Sequence, residues 1–106
     1  MTRDCEIAEQ VLRETAAASF VQRRTVFAFD CANGQFVLLR EGWDGYKRVH
    51  YAWIHIELQN GKFWIHCDGT EHGIANDLLA LGVPKERIVL AFQHQTRRES
   101  GEFAVV

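Results

Sequence analysis

The stretch VHYAWIHIELQNGKFWIHCD, residues 49–68, decides how this chain folds. Two runs rich in β-branched and aromatic residues flank the dipeptide Asn60-Gly61, which is the strongest short-range signal for a β-hairpin with a two-residue turn. In such a hairpin Gln59 faces Lys62, and the pairing of the residues further along both strands follows from that register. The sequence therefore predicts two adjacent antiparallel strands, with Asn60 and Gly61 as structural turn residues.

One face of this predicted hairpin is almost wholly apolar, because side chains alternate between the two faces of a strand. Its facing pairs are Leu58 with Phe63, Ile56 with Ile65, and Ile54 with Cys67, and Ala52 continues the row. The segment GIANDLLALGVP, which follows the hairpin, is typical of a helix that ends at Gly82 before Pro84. The apolar side chains of that helix are the natural cover for this face, so Cys67 is predicted to pack as a small core residue.

The opposite face carries two histidines that the predicted register places directly across from each other. Its facing pairs are Glu57 with Trp64, His55 with His66, and Trp53 with Asp68. Two imidazoles and a carboxylate can hold a divalent metal, so one interpretation is a metal- or ligand-binding module or a hydrolytic enzyme that uses His55, His66 and Glu57. The other interpretation is cross-strand packing on an amphipathic surface. Because the sequence fixes no third ligand, we predict no metal and no other cofactor.

The rest of the chain predicts an α+β arrangement around this hairpin. An apolar stripe indicates an amphipathic helix from about Asp4 to Ser19, and two β-rich runs around Asn33-Gly34 indicate a first hairpin. The late apolar run IVLAF indicates one more short strand. The predicted fold is therefore a single α+β domain over residues 1–106, with an N-terminal helix, a four-stranded antiparallel meander, a helix packed on the sheet and a short C-terminal strand.

The segment GWDGYK predicts a reversal between the two hairpins, in which Gly42, Asp44 and Gly45 supply the turn chemistry. With Asp44-Gly45 as a two-residue turn, the preceding strand adds Phe36 and Leu38 to the face that bears the histidines. A monomer seldom exposes an aromatic patch of this size, and its composition is that of a protein interface. We therefore predict a homo-oligomer. Its predicted interface residues are Phe36, Leu38, Tyr51, Trp53, His55, Trp64 and His66.

Two carboxylates lie where the second hairpin leads into the following helix. Asp68 precedes Glu71 by three residues, which is the spacing of a capping box, and Thr70 lies between them. Carboxylates at the start of a helix accept bonds from its free N–H groups and favour the positive end of its dipole. We therefore predict that Asp68, Thr70 and Glu71 are structural capping residues.

Composition and charge exclude several classes of function. The 106 residues are 47% hydrophobic and carry a formal net charge of −2, which fits one globular domain without a general attraction to nucleic acid or anionic lipid. The basic pairs are predicted to be solvated, so direct DNA binding is not expected. These pairs are Arg23-Arg24, Lys47-Arg48 and Arg97-Arg98. Ser19 and Ser100 lack the context of a nucleophile elbow and no phosphate-binding glycine loop is present, so we predict that the protein is not an enzyme.

The cysteines and the apolar runs bear on the cellular compartment. Cys5, Cys31 and Cys67 are odd in number and far apart, a pattern that predicts reduced thiols rather than a disulfide framework. No apolar run approaches the roughly 20 residues of a spanning helix, and the first residues have no apolar export segment. These features predict a cytoplasmic protein without a membrane segment.

A series of motifs resembles the XisI-like family, the fdxN-element excision controlling factors of cyanobacteria. In order along the chain they are GWDG from Gly42 to Gly45, the VH…IHI run, NGKFWI from Asn60 to Ile65, DGTE from Asp68 to Glu71, GIAN, GVPKE followed by IVLAF, and the closing EFAVV. The similarity covers about residues 25–106, and it is specific because several rare motifs recur in the same order.

The resemblance implies a role in the control of programmed DNA excision during heterocyst development. It also implies a companion factor, an XisH-like protein that resembles a nuclease. It implies no catalytic residues, in agreement with the lack of a catalytic motif. The expected function is that of an accessory or regulatory protein that works by protein–protein contact.

Overall fold

The structure, a computed structural model, describes residues 2–19 and 23–106. Its elements are α1 (Thr2–Ala17), β1 (Arg24–Asp30), β2 (Gln35–Asp44), β3 (Lys47–Gln59), β4 (Lys62–Asp68), α2 (Ile74–Ala80), a 3-10 turn (Lys85–Arg87), β5 (Ile88–Leu90) and α3 (Gln95–Glu99). The five strands form one sheet in the order β1-β2-β3-β4-β5. The first four strands are antiparallel, and β5 runs parallel to β4. The predicted α+β fold, with its N-terminal helix and four-stranded meander, is confirmed.

Helices α1 and α2 pack on the same face of the sheet, which we call the helix-covered face. Its sheet residues are fully buried: Phe36, Leu38, Ile54, Ile56, Phe63 and Ile65. The buried stripe of α1 is the predicted one, with Ile7, Ala8, Val11 and Leu12, and α2 adds Ile74, Ala75 and Leu78. Among the described residues, no helix is long and apolar enough to cross a membrane.

The opposite side of the sheet is the open face. Its residues, taken from the strand pairing, are Val26, Ala28, Gln35, Val37, Leu39, Ala52, His55, Glu57 and Trp64. The short helix α3, at the far end of the chain, contributes no buried residue. The open face is thus the side of the sheet opposite α1 and α2, and at its β5 end Val89, the partner of Trp64, is fully buried.

A β-bulge in β3 redistributes the predicted interface residues between the two faces. Leu38 pairs with Ile54 and Leu39 pairs with Ala52, which leaves Trp53 as the extra residue. Trp53 therefore joins Ile54 on the helix-covered face and is only 9% exposed. The sheet residues beyond the bulge keep the alternation, so His55 points to the open face.

The prediction that Phe36 and Leu38 are interface residues is therefore wrong for this chain. Both are fully buried in the core, where they pair with Ile56 and Ile54. Tyr51 pairs with Arg40, which is itself 3% exposed on the helix-covered side, so Tyr51 also lies away from the open face. The sequence could not show this, because one extra residue in a strand exchanges the faces of everything on one side of it.

A second bulge alters the far end of the β3–β4 hairpin. The turn at Asn60-Gly61 is confirmed, with φ of 53° and 73°, and the predicted pairs hold as far as Ile56 with Ile65. Beyond that point His66 is the extra residue. His55 therefore pairs with Cys67 and Ile54 with Asp68, so the three predicted pairs His55–His66, Ile54–Cys67 and Trp53–Asp68 are wrong. Cys67 is half-buried rather than part of the core.

The other turns differ in detail from the predicted ones. Gly42 and Asp44 lie within β2 and pair with Val49 and Lys47, so the reversal consists of residues 45–46. Of the three predicted turn residues, only Gly45 is in the turn, with φ of 62°. A four-residue turn, residues 31–34, joins β1 to β2 and contains Asn33-Gly34, around which the first hairpin was predicted.

Asp68 organises the entrance to α2, although not as a capping box. The helix begins at Ile74, whose N–H donates to Asp68 Oδ2 at 2.7 Å across six residues of chain. Asp68 Oδ1 accepts from the Thr70 N–H at 2.9 Å, and Thr70 Oγ1 accepts from the Gly73 N–H at 3.2 Å. In the described part of the chain Glu71 makes no hydrogen bond, so its predicted capping role is wrong, while Asp68 and Thr70 do satisfy N–H groups at this entrance.

A disulfide joins Cys5 of α1 to Cys31 in the β1–β2 turn, with the two Cα atoms 5.8 Å apart. The prediction that all three cysteines are reduced thiols is therefore wrong, and Cys67 alone is free. The pair is 26 residues apart in sequence, and only the packing of α1 against the sheet brings the two side chains together. Spacing within the sequence carries no signal of such a contact.

The two carboxylates near α2 differ in the stability that they contribute. Asp68→Ala leaves the N–H of Ile74 without its partner, so we expect a loss of about 1–2 kcal/mol in the free energy of unfolding. Glu71→Ala is the matched control and is expected to change that free energy by less than about 0.5 kcal/mol. Urea denaturation of both variants measures the difference. Equal losses of stability in the two variants would support the predicted capping box instead.

The disulfide gives a second stability test. Replacing Cys5 and Cys31 together by Ala should lower the free energy of unfolding by about 2–4 kcal/mol relative to the oxidised protein. The reason is that the unfolded chain regains the conformational entropy that the disulfide-closed loop had removed. Urea denaturation with and without dithiothreitol measures the loss. The double variant should be insensitive to the reductant, whereas Cys67→Ala should keep the full sensitivity of the unmodified protein. A reductant effect that persists in the double variant contradicts this bond.

Candidate interaction surface on the open face

Four polar side chains form a connected network in the middle of the open face. Gln35 Oε1 lies 2.7 Å from His55 Nε2, and Gln35 Nε2 donates to Glu57 Oε2 at 3.0 Å. Glu57 Oε1 lies 2.8 Å from His66 Nε2. The two imidazole rings stand 4.9 Å apart between centroids and are tilted by 39°. The structure thus brings His55, Glu57 and His66 together as predicted, although through a bulge rather than through direct pairing.

The bulge explains why the wrong register still gave the right neighbours. His66 is displaced from the ladder, so it no longer faces His55, but its ring remains beside His55 and reaches back to Glu57. Glu57 faces both Gln35 on β2 and Trp64 on β4, which places its carboxylate at the centre of the three strands. Gln35 is the member of the network that the sequence did not reveal, because its contact with His55 spans 20 residues.

The surroundings of His55 and Glu57 lower the pKa values of both side chains. Burial, reinforced by the neighbouring His66, holds the pKa of His55 below its ordinary value, and Glu57 only partly opposes this shift. The hydrogen bond from His66, followed by the one from Gln35, holds the pKa of Glu57 below its ordinary value. Near neutral pH the network therefore combines a neutral His55 with an ionised Glu57.

The side chains of the network are not arranged as the ligands of a metal ion. Among residues 2–19 and 23–106, no three His, Cys, Asp or Glu side chains are grouped so that they could hold a metal ion. The free thiol is that of Cys67, which pairs with His55. Burial and, to a lesser extent, the adjacent Asp68 raise the pKa of this thiol, so it is a poor nucleophile. The imidazoles also already have protein partners. His55 and His66 thus belong to a hydrogen-bonded polar centre with Gln35 and Glu57.

Apolar side chains surround this polar centre. Val26, Val37, Leu39 and Trp64 are half-buried on the open face, and Ala28 and Ala52 are exposed there. The indole N–H of Trp64 donates to the carbonyl of Gln59 at 3.2 Å, so the ring is held in place beside the network. An apolar surround with a few oriented polar groups is the usual composition of a protein interface. Of the predicted interface residues, the open face retains His55, Trp64 and His66.

The sequence did not predict two further surface features. A cavity of about 780 Å³ lies between α1, α2 and the loop after β4, with Trp53 and Gly69 in its lining and Glu14, Glu71 and Asp77 among its polar groups. At the free end of the β2–β3 hairpin, Trp43 is 67% exposed and Tyr46 fully exposed. The cavity depends on the spacing of two helices, for which the sequence contains no motif.

The depressed pKa of His55 makes stability depend on pH in a defined window. Because the folded state favours neutral His55, its contribution is complete above the ordinary pKa of 6.5 and is lost as the pH falls below that value. Glu57 acts in the same direction only below its ordinary pKa of 4.5. We expect the free energy of unfolding to fall between pH 7.5 and pH 5.5, and to fall less in His55→Gln. His50→Gln, on the exposed end of β3, is the control and should keep the full pH dependence. Parallel pH profiles for the unmodified protein and His55→Gln would contradict the assignment.

Comparison with known proteins agrees with the fold. The profile of the XisI protein family matches residues 1–105. Among solved structures, an XisI-like protein from Anabaena variabilis superposes with a TM-score of 0.91 at 24% identity, covering 99% of this chain and 98% of that one. The fdxN element excision controlling factor XisI from Anabaena variabilis superposes with a TM-score of 0.79 at 31% identity, covering 94% and 92%.

No protein with a curated description matches the chain significantly. The family profile nevertheless spans nearly the whole sequence, and the second structure shares both the fold and close to a third of its residues with this chain. The motifs from GWDG to EFAVV, the five-stranded sheet and these matches lead to one conclusion: the chain belongs to the XisI protein family.

Proposed function

We propose that this chain is a regulatory accessory protein of programmed DNA excision, and that it acts through contacts with other proteins rather than as an enzyme. The observation that carries this proposal is membership of the XisI family together with a structural relative named as the fdxN element excision controlling factor. A controlling factor regulates a reaction that another protein performs. The nuclease-type chemistry then belongs to an XisH-like companion.

The open face is the surface that we assign to the companion. It combines half-buried apolar residues with the Gln35–His55–Glu57–His66 network, so a partner finds both apolar area and oriented hydrogen-bonding groups. Trp64 is the natural anchor, since tryptophan is enriched among the residues that dominate binding energy. The ionised Glu57 at the centre favours a partner surface that presents a cation or hydrogen-bond donors.

The charge distribution favours a protein partner over DNA. The net charge of the chain is −2, and α2, IANDLLA, has no Lys or Arg. On the free end of the β2–β3 hairpin, Arg48 is held by Glu41 at 2.7 Å, which reduces its availability to a phosphate. Phosphate contacts dominate the affinity of proteins for DNA and need several free cations on one surface. Contact with the excised DNA is thus left to the companion.

Binding to the companion tests this role. Trp64→Ala should weaken the affinity for the XisH-like protein encoded in the same host by roughly 30-fold, as expected when a residue that contributes about 2 kcal/mol to binding is truncated. Calorimetric titration of the purified proteins measures the affinity. Tyr46→Ala, which removes a fully exposed aromatic ring at the tip of the β2–β3 hairpin, is the matched control and should bind as the unmodified protein does.

Two results would contradict the proposal. One is a companion that binds neither the unmodified protein nor any variant, which removes the assigned role. The other is equal affinity for Trp64→Ala and the unmodified protein, which moves the contact away from the open face while leaving the role intact.

A further inference from the structure

Strand β1 is an edge of the sheet, and its outer side is unpaired in the described part of the chain. It pairs with β2 along its whole length, Arg24–Asp30, without a bulge. Natural sheets protect an edge with a central charge, a proline or a bulge, because unpaired N–H and C=O groups readily accept another strand. The five central residues of β1, TVFAF, are uncharged and include no proline. This edge therefore lacks the usual protection against a second strand.

The side chains of β1 are also incompletely covered. Phe27 is 41% exposed, whereas Phe29 beside it packs against the core. The guanidinium of Arg13 on α1 lies over both rings, 5.1 Å from the centroid of Phe27 and 5.2 Å from that of Phe29. A cation over an aromatic face holds the ring in place but leaves its outer edge free. The centre of β1 thus presents an ordered and exposed aromatic ring.

The sequence of β1 is complementary to itself in the antiparallel direction. When Phe27 faces the same residue of a second copy, Arg24 faces Asp30 at both ends of the contact. In a continuous antiparallel sheet, paired residues lie on the same face. A shift of one residue would pair residues of the helix-covered face with residues of the open face, so such registers are excluded. A shift of two residues would lose both Arg–Asp pairs. One register therefore satisfies parity and charge together.

We propose that a second copy of this chain docks on β1, in antiparallel orientation and with Phe27 facing Phe27, to form a continuous ten-stranded sheet. The contact specifies the homo-oligomer predicted from the sequence as a two-fold symmetric dimer. Both helical layers lie on one side of the combined sheet, and the two open faces form one surface on the other. Companion binding through Trp64 does not require this contact, so the two proposals are separable.

The contributions to this contact are unequal. The main-chain ladder and the cross-strand pair of Phe27 rings supply the association, since aromatic pairs and backbone bonds are the stabilising units of a sheet edge. Arg24 is exposed and lies 3.4 Å from Glu41 in its own chain, and exposed ion pairs contribute little to affinity. The Arg24–Asp30 pairs therefore fix the register more than they hold the dimer together.

Sedimentation equilibrium over a wide range of protein concentrations, at low salt, tests the contact. We expect the unmodified protein to dimerise, and Phe27→Lys to raise the dissociation constant at least 30-fold, because two cations then meet at the centre. Tyr46→Lys introduces the same charge at a fully exposed aromatic position outside β1 and should dimerise normally. Thermal denaturation confirms that each variant is folded.

Charge exchange tests the register. Arg24→Asp and Asp30→Arg should each weaken the dimer about fivefold or more, because like charges then meet at both ends. The double variant Arg24→Asp/Asp30→Arg restores both pairs and should return the dissociation constant to within about twofold. Glu41→Gln controls for the loss of the internal Arg24–Glu41 contact.

The results distinguish the proposed β1 contact from the alternatives. A protein that is monomeric at every concentration, or a dimer that survives Phe27→Lys unchanged, overturns the proposal. A dimer that is lost in Trp64→Ala but not in Phe27→Lys places the contact on the open face instead. Failure of the double variant to recover overturns the register. In all three cases calorimetric titration of the companion, with Phe27→Lys as a further variant, reports separately on the proposed function.

Discussion

The extra residue at Trp53 is the constraint on which the rest of the structure depends. Without the bulge, strict alternation would place Trp53 and Ile54 on opposite faces. With it, both pack under the helices, and the guanidinium of Arg40 lies 3.5 Å from the centre of the indole ring. Gly69 completes the packing, because a Cβ at that position would lie 2.4 Å from Trp53 Cδ1. The bulge thus links the middle of the sheet to the entrance of α2.

The same bulge creates the open face as a surface distinct from the core. It sends His55 away from the helices, next to Gln35 and Glu57, and the second bulge then lets His66 close the network from β4. Bulges are common where a strand must redirect a side chain for recognition. Two irregularities in one hairpin therefore produce a polar centre beside the apolar side chains of the sheet surface, a combination that is usual in protein interfaces.

The position of β1 depends on contacts that are distant in sequence. At one end Cys31 ties the β1–β2 turn to α1 through the disulfide with Cys5, and along the strand Arg13 of α1 lies over the exposed ring of Phe27. These contacts hold the edge strand in a defined orientation while its outer backbone remains unpaired by any described strand. The order of this edge supports the proposed docking of a second copy, because little conformational entropy remains to be lost on pairing.

The sequence by itself determined the element order, the Asn60-Gly61 turn, the register near that turn, the stripe of α1 and the neighbourhood of His55, Glu57 and His66. Each of these follows from local turn chemistry or from periodicity over a few residues. Only the tertiary structure decided the two bulges, the burial of Phe36 and Leu38, the Asp68 bond to Ile74 and the Cys5–Cys31 disulfide. These features arise from packing between segments far apart in the chain, and a single extra residue in a strand reverses every face assignment beyond it.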